Sequence, residues 1–283
     1  MRLFLIAALT MLAFAANSIL TRAGIEGAGF DALWFGVVRL WSGAVTLAAI
    51  VVMLRGRLVL GGPGRLVAVV GLVVYIFGFS LAYVRLDAGL GALILFGTVQ
   101  VAMFAGSLVT GERPPALRWI GAALAFSGLC WLLWPNEALD ISPVHALAMV
   151  LAGMGWGGYS MVGRITEDPL SATAANFLLA APVALGLVLA LPFAQGAEVS
   201  VTGVVLAVVS GAVTSGLGYA LWYHVLPQLP GTSAAVAQLS VPVLAIAGGV
   251  LFLGEVLSPD LLLAGGVVLG GVALSVLGGR RAP

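Results

Sequence analysis

From Leu66 to Thr110 the chain carries two charged side chains, Arg85 and Asp87, and they stand almost side by side. Uncharged stretches of that length read as two helices of about 20 residues, each long enough to cross a hydrocarbon core, joined by a short polar turn. The rest of the chain repeats the pattern. Of the 283 residues 61% are hydrophobic and 8% charged, far too little polar surface to cover a soluble globule. Lipid is therefore the expected solvent. The predicted spans are 3–21, 33–54, 66–84, 88–110, 116–134, 144–163, 171–191, 201–226, 232–253 and 261–277, ten in all. The first has the basic start and Ala-rich end of a secretory leader, but it runs on through Ile19 and Leu20 and is read as a span. Cys130 is the one cysteine, so neither a disulfide framework nor a cysteine metal site is expected. The net charge of +1 gives no sign of a nucleic-acid partner. Neither cofactor nor metal is called for.

Every basic side chain is an arginine, and cytoplasmic loops near span ends are expected to hold the excess. With the N-terminus cytoplasmic, Arg2, Arg55, Arg57, Arg65, Arg113, Arg118, Arg164, Arg280 and Arg281 fall inside, while Arg22 and Arg85 fall outside. Arg39 lies within the second span. Both termini are accordingly placed inside.

The two halves echo each other. Gly111-Glu112 recurs as Gly254-Glu255, "FAANSILTR" (Phe14 to Arg22) as "WGGYSMVGR" (Trp156 to Arg164), and "FSLAYV" (Phe79 to Val84) as "YALWYH" (Tyr219 to His224). Each copy, residues 1–141 and 142–283, holds five spans. An odd number obliges the second copy to enter from the opposite face, so the expected fold is an all-α integral membrane protein of two inverted five-helix repeats. That architecture recurs in secondary transporters, with the substrate near mid-membrane at the repeat interface. Each Glu sits at a turn before a helix start, marked by Pro114 and Pro115 in one copy and by Ser258, Pro259 and Asp260 in the other. A carboxylate there is expected to meet the positive helix end, with a proton-coupling role as the alternative.

Ten spans in two halves, a Gly-Glu before a helix start in each, and a Gly-rich last span resemble the EamA-type transporters of the drug/metabolite transporter superfamily. The resemblance covers essentially the whole chain, and is finest to the YddG-type exporters of aromatic amino acids. It implies efflux of small molecules across the bacterial inner membrane through a central cavity between the halves. One departure is Pro242, which has Val99 at its aligned place, so the halves are expected to bend differently there.

Polar and aromatic side chains on one face carry the information about a substrate. Tyr75, Phe79 and Tyr83 recur every four residues in the third span, as do Ser215, Tyr219 and Tyr223 in the eighth, with Trp222 and His224 beside them. The two stripes are expected to line a pocket that stacks rings and bonds polar groups. Tyr83, Trp222 and Tyr223 lie near span ends, where an interface-anchor role competes. Asn17, Gln100 and Gln238 are expected to meet a zwitterionic ligand, with partners in neighbouring helices as the alternative, while Trp156 is expected as pocket wall and Tyr159 as a polar group at depth that contacts substrate. Arg39 has three candidate fates: a substrate carboxylate, a neighbour, or the membrane surface. Gly153 with Gly157, and Gly266 with Gly270, form small-xxx-small pairs, the latter a candidate dimer contact, leaving a monomer or weak homodimer.

Competing functions are efflux of amphipathic drugs or metabolites, a membrane enzyme, and a scramblase or channel. His145 and His224 stand alone and no catalytic constellation accompanies them, which argues against the enzyme. With no carboxylate at mid-membrane, neither a proton nor a sodium site is evident.

Overall fold

The computed structural model describes residues 2–109, 115–133, 141–190, 199–229 and 231–278; the side chains of 103, 106, 107, 109, 132, 133, 231–236 and 276–278 are outside that description. The Gly111-Glu112 turn therefore lies outside the described residues, as do Arg113, Arg280 and Arg281. Among the described residues the chain is helical, in α1 (Arg2–Gly27), α2 (Ala32–Arg55), α3 (Arg65–Ala82), α4 (Ala88–Val109), α5 (Ala116–Leu133), α6 (Pro143–Gly163), α7 (Pro169–Ala190), α8 (Val201–Gln228), α9 (Gly231–Gly248, continued by a π turn Gly249–Leu253) and α10 (Pro259–Gly278). Six of these, α1, α2, α3, α6, α7 and α8, are long and apolar enough to cross a membrane, and α4, α5, α9 and α10 contain shorter apolar stretches. Helix starts agree with the apolar runs to within one turn.

Local chemistry explains the ends. Asp31 caps α2, its Oδ1 accepting from the N–H groups of Leu33 at 2.9 Å and Trp34 at 3.0 Å; Gly56, at φ 69°, closes the helix in the left-handed conformation. Ser200 caps α8 through Gly203 N–H, and Ser258 caps α10 through Leu261 N–H at 3.1 Å. Asp168 begins α7 by accepting from the hydroxyl of Ser171 at 2.7 Å and from its N–H at 3.3 Å. Its slight burial opposes ionisation, but the Ser171 bonds and Arg55 hold its carboxyl below the usual range.

Outward faces are apolar. Phe4, Leu5 and Leu9 of α1, Met53 and Leu54 of α2, and Phe126 and Trp131 of α5 are exposed. So large an uncovered hydrocarbon surface suits lipid and not water. Inside, α3 packs on α6, α5 on α10, α2 on both α7 and α8, α4 on α6 and α9, and α1 on α8 and α9. Backbones touch where α5 crosses α10: a Cβ at Gly121 would stand 2.2 Å from the Ser275 nitrogen, and one at Gly271 2.4 Å from the Ala125 nitrogen. Only glycine fits either place. By contrast nothing lies within 4 Å of a Cβ at Gly266 or Gly270, so this expected close-packing pair does not pack within the chain. Gly153 does, against Thr98 and the Leu95 carbonyl of α4.

Two ends are chemically distinct. At one, Arg22 Nη1 donates to the carbonyls of Tyr83 at 3.0 Å and Val84 at 3.2 Å, and its Nη2 lies 3.6 Å from Asp87. Glu255 adds a clasp there, accepting from Ala88 N–H at 2.6 Å and Gly89 N–H at 3.4 Å. The expectation that this carboxylate meets a helix start was right in kind and wrong in partner: it caps α4, while Ser258 takes the start of α10. The left-handed Gly254, at φ 68°, turns the chain so that Glu255 points across to α4. At the other end, the Arg55–Arg65 segment and the Ile165–Asp168 turn border an open cavity of ≈ 520 Å³.

Candidate substrate site

Arg39 stands at the centre of the molecule with no exposure at all. Its Nε donates to Ser215 Oγ at 2.7 Å, and Nη2 to the hydroxyls of Tyr219 at 2.6 Å and Tyr75 at 3.2 Å. The guanidinium carbon also lies 4.9 Å from the Phe79 ring centre and 5.4 Å from that of Tyr75. The two aromatic stripes expected from their four-residue spacing thus converge on one cation. α3 supplies Tyr75 and Phe79, and α8 supplies Ser215 and Tyr219. Charge-assisted bonds of about 1.5–3 kcal/mol each, with ring faces contributing about 2 kcal/mol when dry, offset the cost of a charge this deep. The Nη1 nitrogen has no hydrogen-bond partner, and no carboxylate pairs with the guanidinium among the described residues.

A second polar node adjoins the first. Asn17 Oδ1 accepts from the hydroxyls of Ser210 at 2.9 Å and Ser215 at 3.3 Å and from that of Thr214, while its Nδ2 donates to Tyr219 at 3.4 Å. All three hydroxyls come from a π-helical segment of α8, Ser210–Leu217. The wider turn brings Ser210, Thr214 and Ser215 to one point, a geometry frequent where helices serve function. Gly211 makes the approach possible: a Cβ there would stand 2.1 Å from the Arg39 carbonyl oxygen of α2.

Rings close the centre. Trp156 lies 4.7 Å from Tyr219, 5.0 Å from Tyr75 and 5.3 Å from Tyr159, and Tyr159 lies 4.7 Å from Tyr223. Phe14 meets Trp156 and Trp222 edge-on at 5.2 and 5.7 Å. Trp156 Nε1 reaches Gln238 Oε1 at 3.5 Å, and Trp222 Nε1 reaches Ser160 Oγ at 3.4 Å. Tyr83 donates to the Ala88 carbonyl at 3.2 Å and Tyr223 to the Tyr159 carbonyl at 2.8 Å.

Several expectations change against this geometry. Tyr83, Trp222 and Tyr223 are fully buried, so they are not interface anchors. Tyr75, Phe79, Trp156, Tyr159 and Tyr219 do gather with Asn17 and Gln238, but ring against ring: Tyr219 donates to Tyr75 at 3.0 Å, closing the gap where an open pocket was expected. Gln100 is half-buried on α4, and no hydrogen bond or ring contact joins it to this cluster among the described residues; its Nε2 has no partner. His224 is turned away, pairing with Gln228 on the surface. The outcome for Arg39 is bonding to neutral neighbours and not to an acid. Phe14, Ser210, Thr214 and Ser215 belong to the centre as well; the repeat alignment had already set Phe14 opposite Trp156.

The remaining geometry lies at the open end. Arg65 donates to the carbonyls of Leu60 at 3.0 Å, Gly61 at 2.9 Å and Ala172 at 2.8 Å and to the Asn176 side-chain oxygen, fixing the loop rim. Tyr223 is shared between this cavity and the ring stack below it.

Sequence comparison decides the family. The EamA-like transporter family model matches residues 144–277, and the chain is 31% identical over 214 residues to the threonine/homoserine exporter RhtA of Escherichia coli, covering 73% of this chain and 68% of RhtA. The chain belongs to the EamA-like transporter family. An uncharacterized protein of Pseudomonas aeruginosa is 45% identical over 96% of this chain and 94% of its own length. An uncharacterized transporter of Bacillus subtilis, YwfM, is 28% identical over 71% of this chain and 66% of its own. A crystal structure at 18% identity superposes with a TM-score of 0.70, covering 99% of this chain and 97% of the other, which shows a shared fold. This EamA-family protein is thus a multi-pass membrane transporter, and the family is one of transporters and not of enzymes.

Proposed function

We propose that the protein exports amino acids, aromatic ones among them, across the bacterial inner membrane by alternating access through a site centred on Arg39. Ten spans form two inverted repeats, residues 1–141 and 142–283, with both termini cytoplasmic. Exchanging α1–α5 with α6–α10 maps the packing pairs onto one another: α2 with α7, α4 with α9 and α5 with α10 map onto themselves, and α3 with α6 maps onto α8 with α1. Arg55, Arg57 and Arg65 at the open end favour the cytoplasm for that end.

The observation that carries the reading is the uncompensated guanidinium. At this centre Arg39 Nη1 and Gln238 Nε2 are buried donors without partners, and the Tyr159 hydroxyl is unpartnered beside them. A centre that is positive and donor-rich recognises an acceptor-rich anion, and the carboxylate of an amino acid meets that need while the surrounding rings accept its side chain. A second reading, export of small hydroxylated amino acids, is supported by RhtA, whose name records threonine and homoserine, and by the hydroxyls of Ser210, Thr214 and Ser215.

Counterflow in proteoliposomes of the full chain tests both. Labelled L-phenylalanine should accumulate against unlabelled phenylalanine preloaded inside. Arg39→Met, which replaces a buried charge with an apolar chain of similar length, should stay folded yet lose at least ~100-fold of transport. Exchange of threonine without phenylalanine would favour the second reading, and full activity of Arg39→Met would end the proposal.

A further inference from the structure

The cavity at the Arg55–Arg65 end is a built site in its own right. Arg55, Arg57 and Arg65 border it, Asp168 and Glu167 lie on its rim, and Asn176 and Tyr223 form part of its wall. Not all of that charge is committed. Arg65 is held by carbonyls and Asn176, and Arg55 lies 3.8 Å from Asp168 in an exposed pair. No hydrogen bond or ion pair engages Arg57 among the described residues. Asn176 is fully buried on α7 at the back of that wall; its side-chain oxygen is taken by Arg65, and its Nδ2, beside Tyr159 and Tyr223, has no hydrogen bond of full geometry.

From that wall a chain of ring contacts leads inward. Tyr223 to Tyr159 is 4.7 Å, Tyr159 to Trp156 is 5.3 Å, and Trp156 to Tyr219 is 4.7 Å, ending on the hydroxyl that Arg39 holds.

Resting on the reading of Arg39 as the central anion receptor, we infer that this vestibule is a separate capture site for soluble carboxylates, with Arg57 as its free donor. A carboxylate is drawn to the unpaired guanidinium at the mouth, and Asn176 and Tyr223, buried at rest, are the amide and the ring it meets as it moves inward. Release inward then runs along aromatic faces, which hold a planar side chain without binding it at any one point. The vestibule concentrates substrate on the side where export must begin, and it acts on affinity and not on the turnover of the centre.

Two measurements on the full chain test this. In phosphatidylcholine nanodiscs, with Cys130→Ser as background, Thr166→Cys on the cavity rim serves as a maleimide reporter. Benzoate should slow its labelling and neutral benzamide should not, and Arg57→Gln should remove the protection. In proteoliposomes of known orientation, Arg57→Gln should raise KM for L-phenylalanine about fivefold from the vestibule side only, the effect of losing one partly screened charge contact, with the maximal rate unchanged. Absence of benzoate protection would overturn the inference. So would labelling that slows only when phosphatidylglycerol replaces phosphatidylcholine, because a lipid headgroup would then be the occupant. Protection by benzoate in a wild-type protein that moves no amino acid would leave the vestibule standing and remove the export reading.

Discussion

At Asn17, one carbonyl oxygen gathers three hydroxyls while the amide reaches Tyr219. Replacing Asn17 with Leu would keep the volume and strand the Ser210 hydroxyl in a dry interior, a cost of about 1–3 kcal/mol for a buried polar group left unpaired, while Thr214 keeps the Ser210 carbonyl and Ser215 keeps Arg39. Asn17→Leu should therefore lower the melting temperature in detergent and also weaken phenylalanine counterflow, and Asn17→Asp should not restore either. A variant as stable and as active as wild type would show that the network is dispensable. The aromatic stripes were legible in the sequence because a four-residue spacing fixes a helix face whatever that helix packs against. Arg39 was not, because the destination of a long side chain depends on how α2 is rotated against α3 and α8. Gly211, where a Cβ would meet the Arg39 carbonyl, fixes the approach to α8, and Gly43, whose missing Cβ leaves room for the Phe177 ring, fixes the approach to α7.

Among the elements, the helix starts could be read from the apolar runs and, for α10, from Ser258, while Asp31, Gly56 and Ser200 are caps that the structure adds. The π segment of α8 could not, since an i→i+5 turn has no composition of its own and is stabilised by the tertiary bonds its side chains make. Glycine was legible as a packing residue by position at Gly153 but not in the last span. Gly266 and Gly270 carry the recognisable spacing and face open space, whereas Gly121 and Gly271 hold the α5–α10 crossing. The contrast is measurable. Gly271→Ala would drive a methyl into the Ala125 backbone and should cost about 1–3 kcal/mol or more, while Gly270→Ala should be neutral or slightly stabilising. Thermal melts of the two variants in one detergent check the pair, and equal losses would show that the crossing is not tight.

For the molecule as a whole, the asymmetry between its ends matters most. Glu255 is half-buried across the closed end; burial pushes its carboxyl above the ordinary range, the N–H of Ala88 pulls it back, and Asp87 pushes it up again, with Gly89 and Arg22 opposing. The folded protein thus holds this proton more tightly than the unfolded chain. Its contribution to stability is fully present below the ordinary glutamate pKa and is lost as pH rises from there through the raised value. Melting temperature should fall across that interval in the wild type and more shallowly in Glu255→Gln, which keeps one acceptor for Ala88. Parallel pH profiles for the two proteins would mean that Glu255 does not titrate between those limits. The end that Glu255 clasps was not legible in the sequence, because it depends on Glu255 reaching α4 instead of its own neighbouring helix.

The sealed centre around Arg39 also bears on bioenergetics. Rings and hydroxyls exclude solvent from its guanidinium, and a fixed positive charge there repels any cation that enters from either face. At rest the protein should therefore pass neither protons nor other cations, and proteoliposomes loaded with a pH-sensitive dye should hold an imposed pH gradient.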